Sequence, residues 1–162
     1  MAASAGAPSG DVQTQGASAR LAQPVADMRM WIARCDATAW DVPMRAFWND
    51  CGVEVASGEA REVDLREAAA IWSDEVRAVE GNFLGLIDDR GRTVQFYFEA
   101  GIPDGIDDAR HLRIVLMDFP HPERSGSFAR RVSIGEVQGL IETAFRRGAD
   151  HRAFGELTFT AW

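Results

Sequence analysis

Catalysis in a short chain needs imidazoles, thiols or carboxylates at workable spacings, and this sequence has few of the first two. Its only histidines are His111, His121 and His151. His111 opens an expected strand, His121 sits in the stiff segment Pro120-His121-Pro122, and His151 lies in the polar stretch Asp150-His151-Arg152. No Gly-x-Ser-x-Gly elbow accompanies them, and neither Cys35 nor Cys51 has a recognisable protease context. Each histidine therefore reads as an ordinary loop residue. The same residues form no CxxC, HxxH or HExxH spacing, so no zinc site of a familiar type is expected.

Paired carboxylates are more plentiful, at Asp74-Glu75, Asp88-Asp89 and Asp107-Asp108. Acid–base work requires one carboxyl raised in pKa by burial beside an ionised one. Neighbouring acids in Gly-rich loops are normally solvated instead. Gly101-Ile102-Pro103-Asp104-Gly105 lacks the spacing of a phosphate cradle, and its acidic surroundings would repel an anion. Asp104, Asp107 and Asp108 could offer oxygens to calcium, but the Asp-rich loop frame that calcium requires is absent. No catalytic residue, metal or cofactor is expected.

What remains is the acidity itself. Glu99, Asp104, Asp107, Asp108, Asp118 and Glu123 fall along one loop, the following strand and its exit. If they share one end of a sheet they form a concentrated negative patch, which speeds encounter with a basic partner and supplies carboxylates for Arg and Lys. The plainer alternative is the solvated surface of an acidic protein. Net charge is −8, and all 17 basic residues are Arg. That balance argues against nucleic acid or an anionic membrane as a direct partner, since phosphate attraction needs clustered positive charge.

The length of 162 residues suits a single domain, and nine Phe with five Trp can fill a sizeable core. No run of apolar residues is long enough to span a membrane, and no basic segment leads an apolar one at the start, so a cytoplasmic location is expected. In that setting Cys35 and Cys51 are expected to be reduced thiols. Residues 1–25, rich in Ala, Ser, Gly and Gln, read as a disordered tail. A single domain is expected over 26–162.

Its elements follow from periodicity and capping. Met28, Met30 and Ile32 alternate with Arg29, Trp31 and Ala33 as in a strand. Residues 38–50 are ambiguous, and Pro43 permits a short helix from Pro43 to Asp50 in which it occupies the first turn. A short strand at Val53–Val55 is followed by a helix with Asp64 as cap, Glu67 three residues on, and Leu65, Ala68, Ala69, Trp72 and Val76 on one face. Phe83 to Ile87 and Val94 to Phe98 flank Asp88-Asp89-Arg90-Gly91, a hairpin signal. Phe96-Tyr97-Phe98 is apolar on both faces, as in a central strand. Further strands are expected at Leu112–Phe119, Phe128–Val132 and Leu157–Trp162. Between the last two, Ser133 and Glu136 open a helix whose stripe is Val137, Leu140, Ile141, Ala144 and Phe145, with Gly148 as its stop. The sum is an α+β domain: a mainly antiparallel sheet of about five to six strands packed by two main helices.

Three segments carry a resemblance: the hairpin strand Thr93-Val94-Gln95-Phe96-Tyr97, the helix opening Val132-Ser133-x-x-Glu136-Val137, and the strand Leu157-Thr158-Phe159-Thr160-x-Trp162. Over roughly residues 80–162 this order resembles small bacterial immunity proteins that neutralise polymorphic toxins, in the group paired with deaminase and nuclease toxins. The resemblance implies stoichiometric inhibition, in which the protein occludes the active site or substrate groove of a cognate toxin domain. Such toxins act on nucleic acid through basic clefts, which an acidic surface would complement. The residues it points to are Asp104, Asp107, Asp108, Asp118 and Glu123, with Tyr97 either an aromatic anchor or part of the core. The alternatives are a small enzyme with an unfamiliar site in the sheet, and a non-catalytic adaptor or chaperone of a secreted protein.

Overall fold

The computed structural model describes residues 42–162. The expected tail, the domain start at 26, the strand at 28–33 and Cys35 lie outside the described residues. The fold is α+β with an antiparallel sheet, as expected, but among the described residues the sheet has eight strands rather than five to six. In chain order they are β1 (Met44–Asp50), β2 (Val53–Val55), β3 (Arg61–Val63), β4 (Phe83–Asp88), β5 (Thr93–Phe98), β6 (Val115–His121), β7 (Gly126–Val132) and β8 (Thr158–Ala161). The two α-helices among the described residues are α1 (Leu65–Ala70), which runs on as a π-helical turn Ile71–Glu75, and α2 (Ile134–Arg147). Sheet order is β2-β1-β4-β5-β6-β7-β8, with β3 beside β2 along the same edge of β1.

The short helix expected over Pro43 to Asp50 is instead β1. Met44, Ala46, Phe47 and Trp48 are all buried, so both faces of this segment are apolar, which one helical stripe could not satisfy. Pro43 stands just outside the strand, where its missing N–H breaks no ladder bond. The extra strands come from here too: β2 and β3 are three residues each and together line one side of β1. The expected strand over Leu112–Phe119 begins later and runs on through Pro120 and His121, which pair with Ser127 and Gly126.

Both helices start where their caps place them. Asp64 accepts the Glu67 N–H at 2.7 Å while the Glu67 carboxylate accepts the Asp64 N–H at 3.1 Å. At α2 the Glu136 carboxylate accepts the Ser133 N–H at 2.7 Å. The helices pack on one face of the sheet, where Trp72 stacks on Phe98 at 4.8 Å and meets Phe96 edge-on. Tyr97 points to the other face and is 36% exposed, so Phe96-Tyr97-Phe98 alternates rather than being apolar throughout. On that side, which carries no helix among the described residues, Phe47 lies over Gly85, where an added Cβ would collide with its ring.

One polar knot ties the layers together. Asp88, whose side chain is fully buried, accepts the N–H groups of Arg90 and Arg92 at the hairpin turn and that of Ala149 just beyond α2. Arg92 donates to it through Nε at 2.8 Å and reaches on to Asp150, also at 2.8 Å. Gly148 crosses this knot at φ +73, and a Cβ there would press on Arg92 and Asp88. Removing the carboxylate strands buried donors, so Asp88→Ala is expected to lower stability by about 3 kcal/mol or more in urea melts. Gly85→Ala should cost about 1–3 kcal/mol by overpacking against Phe47, a penalty that Phe47→Leu in the same chain would partly relieve.

Candidate functional site

The acids singled out from the sequence do not form one patch. Loop 99–114 joins β5 to β6 at one end of the sheet and carries Asp104, Asp107 and Asp108, all exposed. Glu123 lies beyond His121, at the far end of β6. Six residue steps separate Val115 from His121, roughly 20 Å at strand rise. Asp118 sits between them on the helix-free face, since it pairs with Gln95, on the same side of β5 as Tyr97.

Ion pairing thins the loop cluster further. Asp108 is gripped by Arg110 through bonds of 2.9 to 3.3 Å, and this guanidinium pulls its pKa down to about 2. Glu99 is taken by Arg131 at 2.6 Å. Asp104 and Asp107 have no ion-pair partner among the described residues. Asp118 likewise lacks a cation; burial pushes its carboxyl up, opposed by a hydrogen bond from Ser127. Tyr97 lies opposite Leu116, which places Asp118 on the diagonal, roughly 7–8 Å away between Cα atoms. The face without a described helix thus presents an exposed phenol beside a half-buried carboxylate that has no cation among the described residues.

The far end of β6 holds a constellation that the sequence did not reveal. His121 and His151, 30 residues apart, meet with Nε2 3.2 Å from Nδ1, and His121 Nδ1 lies 2.6 Å from the Glu123 carboxylate. An ionised Glu123 accepts from His121 Nδ1–H, which leaves His121 Nε2 to accept from His151 Nδ1–H. His151 stacks on Phe128 at 4.1 Å, while Arg124 lies over Phe128 and Phe159. Asp150 accepts the Arg152 N–H at 3.1 Å and so shapes the turn that presents His151. The only clue in the sequence was the polar clustering of Asp150-His151-Arg152, which does not name His121 as its partner. Glu123 belongs to this cluster through its bond to His121, which holds its carboxyl below the usual range.

A third cluster surrounds buried Asn82. Its amide nitrogen donates to Asp50 at 2.7 Å and to the Arg77 carbonyl at 3.0 Å, and its oxygen accepts the Cys51 N–H at 2.8 Å. Arg77 clamps Asp50 at 2.8 Å, and Cys51 is a free, exposed thiol. These bonds close the β1–β2 turn onto the chain entering β4. Among the described residues no three His, Cys, Asp or Glu side chains converge to hold a metal ion. No described helix is long and apolar enough to cross a membrane.

Comparisons with protein-family models, with curated proteins and with solved structures find no match to this chain.

Burial, followed by the neighbouring His121, lowers the pKa of His151 from its ordinary 6.5. The unfolded chain then binds this proton first, so the stability is complete above about pH 6.5 and is lost as pH falls towards the folded-state value. The paired acids Asp108, Glu123 and Glu136 act in a lower window, below about pH 4.5. Urea midpoints should therefore fall between pH 7.5 and pH 5.5. His151→Phe, which keeps an aromatic ring on Phe128, should remove most of that fall; an undiminished fall would assign it elsewhere.

Proposed function

We propose that this chain is a stoichiometric protein inhibitor, an immunity protein that binds a cognate bacterial toxin domain of basic, nucleic-acid-acting type and occludes its active site. The observation that carries the reading is the helix-free face, where Tyr97 is 36% exposed beside Asp118, a half-buried carboxylate with no cation among the described residues. A carboxylate held out of full solvation gains more from an incoming Arg or Lys than a solvated one does. An adjacent aromatic supplies the rigid apolar contact on which protein interfaces concentrate their energy. Asp104 and Asp107, with no ion pairs of their own among the described residues, add a negative rim at the loop end of the same sheet. Asp108 and Glu123 have smaller parts, because Arg110 and His121 already engage them.

The reading is tested by affinity capture from the source cells, with the co-purifying protein identified by mass spectrometry and its activity assayed. The expected result is a basic toxin domain, bound one to one, released by salt, and inactive on nucleic acid while bound. Tyr97→Ala and Asp118→Asn should each weaken that complex about tenfold or more, chiefly by faster dissociation. Reversing Asp104 and Asp107 to Arg should slow association at low salt and leave the melting temperature unchanged. Capture of no toxin domain, or of one that remains active in the complex, overturns the proposal.

A further inference from the structure

The two edges of the sheet are treated differently. At one edge β2 and β3 are three residues each and carry Glu54, Arg61 and Glu62, the short and charged design that discourages edge pairing. At the other edge β8 reads Thr158-Phe159-Thr160-Ala161, has no charge or proline, and is exposed along its whole length. Its inner side is bonded to β7. Trp162 N–H donates to the Ser125 carbonyl at 3.0 Å, and the register sets Thr160 against Ser127 and Thr158 against Ala129. Bonded pairs alternate along an antiparallel ladder, so the backbone groups of Phe159 and Ala161 point away from β7. No described strand pairs with them.

We infer that this edge is a self-association surface, on which β8 of a second copy of this chain pairs antiparallel about a two-fold axis at Thr160. Going beyond the inhibitor reading, the inference follows from what the edge itself can select. The free groups of Phe159 and Ala161 are two residues apart, so with Thr160 facing its mate, Phe159 of each copy exchanges both backbone bonds with Ala161 of the other. Side chains fit in the same register. Phe159 meets Ala161 on the helix-bearing face, and Trp162, 69% exposed, meets Thr158 on the other, a large residue against a small one each time. The Phe159 ring is held in place from below because Gly126 leaves it room; a Cβ there would strike it. Charge selects the same occupant. The strand itself carries no charge, so it offers a charged partner no ion pair, and two copies at −8 each meet little repulsion along it. The product is one sheet continuous across both copies, an isologous contact that closes on itself.

The test combines sedimentation with amide exchange on the full chain. Mass should rise from 17.8 kDa towards twice that value with concentration up to the millimolar range. Protection of the Phe159 and Ala161 amides should rise in parallel, while the Thr158 and Thr160 amides, already bonded to β7, are protected throughout. Ala161→Pro removes an outward N–H and should abolish the dimer. Thr160→Lys sets like charges face to face across the axis without touching the β7 ladder, and should do the same while leaving the melting temperature intact. A chain that stays monomeric at every concentration overturns the inference. So does a dimer that persists in Thr160→Lys, or one that forms without protecting Phe159 and Ala161.

Discussion

Asp88 is a carboxylate shut away from water and met by donors from two distant parts of the chain. Backbone amides of its own hairpin turn hold one oxygen, while the other takes Arg92 and the amide of Ala149, 61 residues on. A carboxyl group in such a position is tolerable only when its oxygens are met by donors, so the arrangement is close to all or none. It fixes the exit of α2 against the β4–β5 turn. Arg92 carries the constraint to Asp150, Asp150 shapes the turn bearing His151, and His151 meets His121 at the end of β6. A contact at the hairpin thereby places an imidazole pair that no local sequence rule would assemble.

The two faces of the sheet divide the work. Helices α1 and α2 bury their stripes on one, with the aromatic stack of Trp72 on Phe98 at the centre. The other presents Tyr97 and Asp118 from adjacent central strands, each paired to a neighbour on both sides. Recognition built on strands keeps its geometry better than recognition built on loop 99–114, which lends charge rather than shape. The Asn82 cluster closes the β1–β2 turn onto β4, as the Asp88 knot closes the β4–β5 turn onto α2.

The parts of the fold legible in the sequence are those set by short-range chemistry. Asp64 with Glu67, Ser133 with Glu136, and the Gly91 turn each satisfy backbone donors within a few residues, and their elements formed where expected. β1 was not legible, because buried apolar residues on both of its faces erase the alternation that marks a strand, and Pro43 invited a helical start. β3 is too short to show a period. At the site, the pairing of Asp108 with Arg110 lay two residues away and was readable in principle, whereas the separation of Glu123 from the loop acids depended on the length and direction of β6. The His121–His151 contact depended on α2 delivering its end to the right place, a tertiary outcome.

From β4 onward each strand lies beside the one synthesised before it. Such a meander needs few distant encounters, and a chain emerging from the ribosome can extend the sheet one strand at a time. β1 alone must wait, holding β2 and β3, until α1 has passed and β4 arrives. β8 contributes no buried residue to the hydrophobic core, so the core can close before β8 docks. Chain order thus places the uncharged edge after every described segment that fills the core, so the interior needs nothing from the strand most open to pairing.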